Sequence, residues 1–110
     1  MITIEVTKDD KGAYKELLCM GHAGYARKGK PDIICAAVSA LIINCVNALE
    51  DLAKEDVTTT QNSETGFMRI VFNKALQDKS VFLVDSTVYS LKKISEEYGD
   101  KYLIVKIKEV

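Results

Sequence analysis

The chain has 110 residues, of which 47% are hydrophobic and 28% are charged, so we expect one folded domain, residues 1–110, with a single hydrophobic core. Its 15 basic and 16 acidic residues give a net charge of −1, which argues against direct binding of nucleic acid. No uninterrupted apolar run reaches the roughly 20 residues of a membrane span, so we expect no membrane partner.

The beginning of the chain and its cysteines indicate the compartment. Residues 1–5 show no basic region followed by an apolar core, so we expect no secretion signal and a cytoplasmic protein. The three cysteines are an odd number, and in a chain without an export signal this favours reduced thiols over structural disulfides.

The first predicted elements form a β-hairpin. Ile2, Ile4 and Val6 alternate with polar residues, which is the period of a half-buried strand. Turn residues at 9–12 lead into a second strand over about residues 14–21.

A loop and a long helix follow the hairpin. The connector over residues 24–31 has two glycines, one proline and three basic residues, which is typical of a mobile surface loop. Asp32 is the predicted N-cap, because Pro31 disfavours an earlier helical start. The helix then runs to about residue 54, and its apolar first half predicts cover by a sheet or a partner.

Two more strands, a second helix and a last strand are predicted in the second half of the chain. Strands are predicted over residues 57–61 and 67–72, a helix over about 80–98 that ends at Gly99, and a last strand over 102–108. Candidate buried positions of the second helix are Phe82, Leu83, Val84, Val88, Leu91, Ile94 and Tyr98. The order β-β-α-β-β-α-β predicts an α+β fold, a mostly antiparallel sheet with two helices packed on one face.

Cys35 and His22 are the candidate catalytic residues. With Asp32 as N-cap, Cys35 lies in the first helical turn, whose amides lack helical partners, favour a thiolate and can hold an oxyanion. His22, the only histidine, ends the second strand and is the available general base. A buried apolar cysteine and a hydrogen-bonded surface histidine are the structural alternatives.

Asp32 and Ser39 are expected to support this pair. Asp32 caps the helix or orients His22 as the third member of a triad, and the two roles are compatible. Ser39 follows Cys35 by about one helical turn, so it lines the same site or bonds its own helix backbone.

The other two cysteines are predicted to lie in the core. Cys45 is ten residues beyond Cys35, about 15 Å along a helix axis, which is too far for a disulfide or a shared metal. In a regular strand Cys19 and His22 point to opposite faces, which argues against a zinc site. We therefore expect neither a metal nor a cofactor.

The connector between His22 and Cys35 is the candidate substrate loop. Its glycines, Gly24 and Gly29, allow it to close over a peptide as lids do. The basic side chains of the loop are either solvated or guide an anionic or ribosome-bound partner; they are Arg27, Lys28 and Lys30.

One motif resembles a known family. It consists of Gly21-His22-Ala23, an eight-residue connector, and Asp32-x-x-Cys35-Ala36-Ala37-Val38-Ser39. Its spacing and residue types resemble the ribosomal-processing cysteine protease family, called Prp. The resemblance extends over the whole chain, from the opening hairpin to a final helix with Tyr98 near its end.

This resemblance implies a bacterial cytoplasmic endopeptidase that removes a short N-terminal extension from the large-subunit ribosomal protein L27. It places the catalytic histidine on His22 and the nucleophile on Cys35, with Asp32 and Ser39 as the aspartate and serine of the motif. It also implies a homodimer with a flexible loop between histidine and cysteine. We expect the precursor peptide to bind partly in extended form, beside a sheet edge.

Two other functions are compatible with the sequence. A non-catalytic ribosome-associated binding protein would use the basic loop, and its binding would survive the loss of Cys35. A thiol redox sensor would be oxidised reversibly at Cys35, although no resolving cysteine is expected within reach.

Overall fold

The protein folds around one sheet, and a computed structural model describes residues 1–27 and 29–110. The strands are β1 (Ile2–Lys8), β2 (Tyr14–Met20), β3 (Val57–Asn62), β4 (Phe67–Phe72) and β5 (Leu103–Glu109). The helices are α1 (Ile33–Asn47), which continues as a π-helical turn over Ala48–Leu52, and α2 (Asp78–Tyr98). The predicted order β-β-α-β-β-α-β is confirmed.

The five strands have the order β3-β4-β2-β1-β5 in a single sheet. β1 pairs antiparallel with β2, β2 with β4, and β4 with β3, whereas β5 runs parallel to β1. The sheet is mostly antiparallel, as predicted. Its order places the second hairpin directly beside β2, the strand that leads to His22.

Both helices cover the same face of the sheet. On β1 the alternating residues Ile2, Ile4 and Val6 are buried on this face, as their period predicts. Side chains from β1, β2, β4, both helices and β5 form one hydrophobic cluster. The largest fully buried ones are Ile4, Leu17, Ile34, Ile42, Leu49, Ile70, Leu91 and Leu103.

The segment Ile33–Leu52 is long and apolar enough, by length and composition alone, to cross a membrane. Its buried side chains Ile34, Val38 and Ile42 pack into the cluster under the sheet. This packing agrees with the predicted covered helix, because a helix that is apolar on most sides needs a layer on its inner face.

Two predicted buried positions of α2 are wrong. Phe82 is 74% exposed and Tyr98 is 38% exposed, whereas Val84, Val88 and Leu91 are buried. The three buried residues recur at helical spacing and form one stripe that faces the core. Phe82 precedes Val84 by two positions, about 200° around the helix, so it points away from the core.

Candidate active site

Cys35 lies in the first turn of α1, where the sequence predicts it. The carboxylate of Asp32 accepts hydrogen bonds from the amides of Ile34 at 3.0 Å and Cys35 at 3.1 Å. This is the pattern of a helix N-cap. The predicted cap is therefore confirmed. Cys35 is partly exposed and lies at the N-terminal end of α1.

The second carboxylate oxygen of Asp32 anchors the loop that precedes the helix. It accepts hydrogen bonds from the amides of Tyr25 at 3.0 Å and Ala26 at 3.5 Å. Partial burial raises the pKa of the Asp32 carboxyl, but the backbone N–H groups that bond to it outweigh burial and hold the pKa below its usual value. Both oxygens of Asp32 are thus engaged by backbone amides.

His22 follows the end of β2 and lies against α1. Gly21 has a φ of 91°, a conformation that turns the chain after the strand. The amide of Ala23, the residue after His22, donates a hydrogen bond to Cys35 Sγ at 3.2 Å. This contact joins the two predicted catalytic segments. Nε2 of the His22 ring lies 3.2 Å from the carbonyl oxygen of Glu64.

Cys35, His22 and Ser39 border one pocket of about 150 Å³ between α1, the end of β2 and the β3–β4 hairpin. A second depression, lined by later residues of α1 and by β3, shares Gln61 and Met68 with this pocket. The two neighbouring depressions are together called here the α1 groove.

The amides at the start of α1 are largely committed to the cap. Those of Ile34 and Cys35 bond to the Asp32 carboxylate, and that of Ala36 bonds to the Asp32 carbonyl at 3.0 Å. The predicted use of these amides for an oxyanion therefore competes with the cap. The amide of Ala23 is a donor beside the sulfur itself.

The other two cysteines are buried, as predicted, with Cys19 9% and Cys45 1% exposed. Burial raises the pKa of the Cys45 thiol, and burial together with the nearby Cys35 raises the pKa of Cys19 to about 11. A thiol that stays protonated is a poor nucleophile. Both therefore differ chemically from a reactive cysteine.

Cys19 borders the same pocket as His22, and the expectation for a regular strand, that the two point to opposite faces, does not apply to this pair. The reason is local: β2 ends at Met20, and the positive φ of Gly21 breaks the alternation before His22. Within residues 1–27 and 29–110, no three His, Cys, Asp or Glu side chains are grouped to hold a metal ion.

The candidate substrate loop follows His22 directly. Its residues Gly24, Arg27, Gly29 and Lys30 are exposed, and Lys28 lies outside the described residues. The loop is anchored by contacts that the sequence does not predict.

Tyr25 provides the anchor. Its ring meets the edges of two other tyrosine rings at centroid distances of 5.7 Å to Tyr98 and 5.0 Å to Tyr102. Aromatic contacts thus hold the first part of the loop, and Asp32 holds the same segment through its amides. Tyr25 is more than 70 residues away from Tyr98 and Tyr102 in the sequence, so no local pattern indicates this contact.

The turn between β3 and β4 also contacts His22, which the sequence does not predict. Cys19 pairs with Met68 in the β2–β4 register, and continuing that register places Gly21 opposite Gly66. The turn therefore reaches the His22 ring. A glycine in a hairpin turn is the only sequence signal, and it does not indicate which strand the turn meets.

The chain is similar to known proteins over most of its length. The family model described as cysteine protease Prp matches residues 1–103. The ribosomal processing cysteine protease Prp of Staphylococcus aureus is 30% identical over 100 residues, which cover 91% of this chain and 93% of that protein. The Bacillus subtilis protein of the same name is 30% identical over 84 residues, covering 73% of this chain and 74% of its own.

A solved structure is also similar. It is that of an essential ribosomal processing protease Prp from S. aureus in complex with a covalently linked product peptide. The two chains superpose with a TM-score of 0.89 at 29% identity, covering 98% of this chain and 100% of that chain. The predicted α+β fold is that of this structure.

Proposed function

The chain belongs to the Prp family of ribosomal processing cysteine proteases, and from this premise we propose that Cys35 is its nucleophile and His22 its general acid and base. One observation carries the proposal. The Ala23 amide donates to Cys35 Sγ at 3.2 Å, and Cys35 and His22 border one pocket. This supports pairing of the thiol with the imidazole, since an adjacent base activates a thiol nucleophile.

The mechanism proceeds in two halves. His22 takes the thiol proton, Cys35 sulfur attacks the scissile carbonyl carbon, and the carbonyl electron pair moves to oxygen. His22 then gives the proton to the leaving amine, and the carbon–nitrogen bond breaks to leave a thioester. In the second half His22 takes a proton from water, whose oxygen attacks the thioester carbon. The carbon–sulfur bond then breaks, the carboxyl product leaves, and the Cys35 sulfur takes the proton back from His22.

Asp32 and Ser39 support this chemistry in different ways. Asp32 fixes the start of α1 and the loop by binding backbone amides, which holds Cys35 in position. Ser39 borders the pocket next to Cys35 and contacts the bound peptide. The Ala23 amide lies beside the sulfur, where it stabilises the oxyanion.

The substrate is the precursor of ribosomal protein L27, whose N-terminal extension is removed. Its peptide lies in extended form along the α1 groove, which runs beside the edge strand β3. The relatives are named for ribosomal processing, and the exposed Arg27 and Lys30 add positive charge to the loop between His22 and Cys35.

The active protein is a cytoplasmic homodimer in which residues 1–110 act as one protease domain. Support for dimer formation comes from large apolar side chains on the helix layer, because Leu52 is 80% and Phe82 is 74% exposed. Exposed apolar residues of this size commonly mark an interface.

The proposal is tested with the L27 precursor and intact-mass measurement of the product. The wild type releases the extension, whereas Cys35→Ala gives no product and His22→Ala lowers the rate by about a hundredfold or more. Cys45→Ala is the matched control, since Cys45 is buried in the core away from the pocket lining, and it retains cleavage.

Cleavage of the precursor by folded Cys35→Ala would refute the proposal. The wild type separates the protease from a binding module, because a binding protein would hold the precursor and leave its mass unchanged, whereas the protease releases the extension.

A further inference from the structure

We infer that the backbone carbonyl of Glu64, in the β3–β4 turn, orients the catalytic imidazole. In a triad this place is taken by the side chain of an aspartate or asparagine. The inference rests on the proposed role of His22 and adds the group that selects its tautomer. The turn, residues 62–66, is called here the orienting turn.

The contact itself decides the tautomer. Nε2 of His22 lies 3.2 Å from the Glu64 carbonyl oxygen, and a carbonyl oxygen only accepts hydrogen bonds. Nε2 therefore carries the hydrogen, and the lone pair of the neutral ring is on Nδ1. Nδ1 is then the nitrogen that exchanges protons with Cys35, the proposed nucleophile.

Hydrogen bonds within the orienting turn hold the Glu64 peptide in place. The Asn62 side-chain oxygen accepts from the Glu64 amide at 3.1 Å, and the Ser63 carbonyl accepts from the Gly66 amide at 3.4 Å. The hydroxyl of Thr65 donates to the Asn62 carbonyl at 3.4 Å. Hydrogen bonds from residues on both sides of Glu64 thus hold its carbonyl in place.

Gly66 allows the turn to come this close to the ring. Its φ is 67°, in the left-handed region that favours glycine. A Cβ at this position would overlap the Gly21 carbonyl and would lie 3.1 Å from Cε1 of His22. Any side chain at position 66 therefore pushes the turn away from the backbone that carries His22.

Asp32 is not free for this role. Its two oxygens accept from backbone amides at 3.0 to 3.5 Å, so the carboxylate is committed to α1 and the loop. The Nε2 side of His22 faces the orienting turn instead. The structure thus divides the two jobs expected of the aspartate: Asp32 caps, and the Glu64 carbonyl orients.

Nuclear magnetic resonance of the single histidine tests the inference without an activity assay. In protein labelled with ¹⁵N-histidine, long-range proton–nitrogen correlations at pH about 8.5, where an imidazole is neutral, identify which ring nitrogen bears hydrogen. We expect the Nε2–H tautomer. A wild-type ring with hydrogen on Nδ1 overturns the inference, and it does so whether or not Cys35→Ala abolishes cleavage.

Two glycine variants extend the test. Gly66→Ala displaces the turn, so we expect a mixed tautomer and a fall in kcat of about 10- to 100-fold with KM within about twofold. Gly12→Ala is the matched control: Gly12 also has a positive φ of 83° but no atom within 4 Å of an added Cβ, so it carries similar backbone strain and keeps the wild-type tautomer and kcat. A folded Gly66→Ala with the wild-type tautomer and kcat contradicts the inference.

Discussion

Replacement of Asp32 separates helix capping from catalysis. Asp32→Ala removes the acceptor for the amides of Ile34 and Cys35, at 3.0 and 3.1 Å, and for those of Tyr25 and Ala26, at 3.0 and 3.5 Å. Loss of an N-cap costs about 1 kcal/mol, and the partly exposed loop amides add up to about 1 kcal/mol more. At about 4 to 8 °C for each kcal/mol lost, we expect the melting temperature to fall by about 4 to 16 °C, measured by circular dichroism.

Asp32→Asn is the matched variant. Its oxygen still caps the helix, because asparagine is as good an N-cap as aspartate, but its NH2 group cannot accept from the amide of Tyr25. We expect about half the loss in melting temperature and a kcat reduced by less than about tenfold. If Asp32 were instead the third member of a triad, loss of its charge would lower kcat by about 10⁴-fold. That result refutes the assignment of Asp32 as a cap and loop anchor.

The difference in stability between the wild type and Asp32→Asn is expected to depend on pH with a definite sign. Hydrogen bonds to the ionised form hold the pKa of Asp32 below its ordinary 3.8. The stabilisation is therefore complete above that value and disappears as the pH falls through the lower pKa of the folded state. Denaturant unfolding of wild type and Asp32→Asn tests this, because their difference in free energy of unfolding is expected to shrink at acid pH. A difference independent of pH contradicts the account.

Three further predictions concern other parts of the molecule. Tyr25→Ala removes both aromatic contacts of the loop, so trypsin is expected to cleave the loop faster. Tyr89 is exposed, and Tyr89→Ala is expected to leave the cleavage rate unchanged. Equal cleavage rates for the two variants contradict the anchoring role of Tyr25. The pKa of Cys19 is raised from 9.0 to about 11, so this thiol ionises at a lower pH in the unfolded chain than in the folded one. The free energy of unfolding is therefore expected to fall as the pH rises from about 9 to 11. Cys19→Ala is expected to weaken this fall, and a pH profile of unfolding identical to that of the wild type contradicts the prediction. Light scattering with gel filtration is expected to give twice the 12.2 kDa chain mass for the wild type and a lower mass for the double variant Leu52→Ser with Phe82→Ser. A monomeric wild type refutes the dimer, and a double variant that stays dimeric refutes the role of these two residues in the interface.

Local signals predicted the parts of the site that lie close together in sequence. Asp32 and Pro31 located the start of α1 because a cap acts on amides two and three residues away. Gly99 located the end of α2, where its φ is 107°, since such a backbone favours glycine. Cys35 was therefore placed correctly in the first helical turn.

The rest of the site depends on contacts between distant segments. The turn at Glu64 meets His22 only because β4 pairs with β2 in a register that joins Cys19 to Met68, and the sequence alone does not specify which strands pair. The strand order is a property of the whole sheet, so neither the Glu64 contact nor the anchoring of Tyr25 on Tyr98 was predictable from periodicity.

The exposed position of Phe82 has a similar cause. An aromatic residue in an amphipathic helix is a reasonable core candidate by composition, but burial follows the stripe set by Val84, Val88 and Leu91. Which residues of a helix face the core is decided by the packed layer beneath it.

Covalent trapping tests most directly whether Cys35 is the nucleophile and His22 its partner. A peptide with the cleavage sequence and an acyloxymethyl ketone at the scissile position is incubated with the protein, and the modified residue is identified by peptide mass mapping. We expect one adduct per chain, on Cys35, and labelling at least about tenfold slower in His22→Ala. An adduct on Cys19 or Cys45, or labelling of Cys35 at an equal rate without His22, contradicts the account.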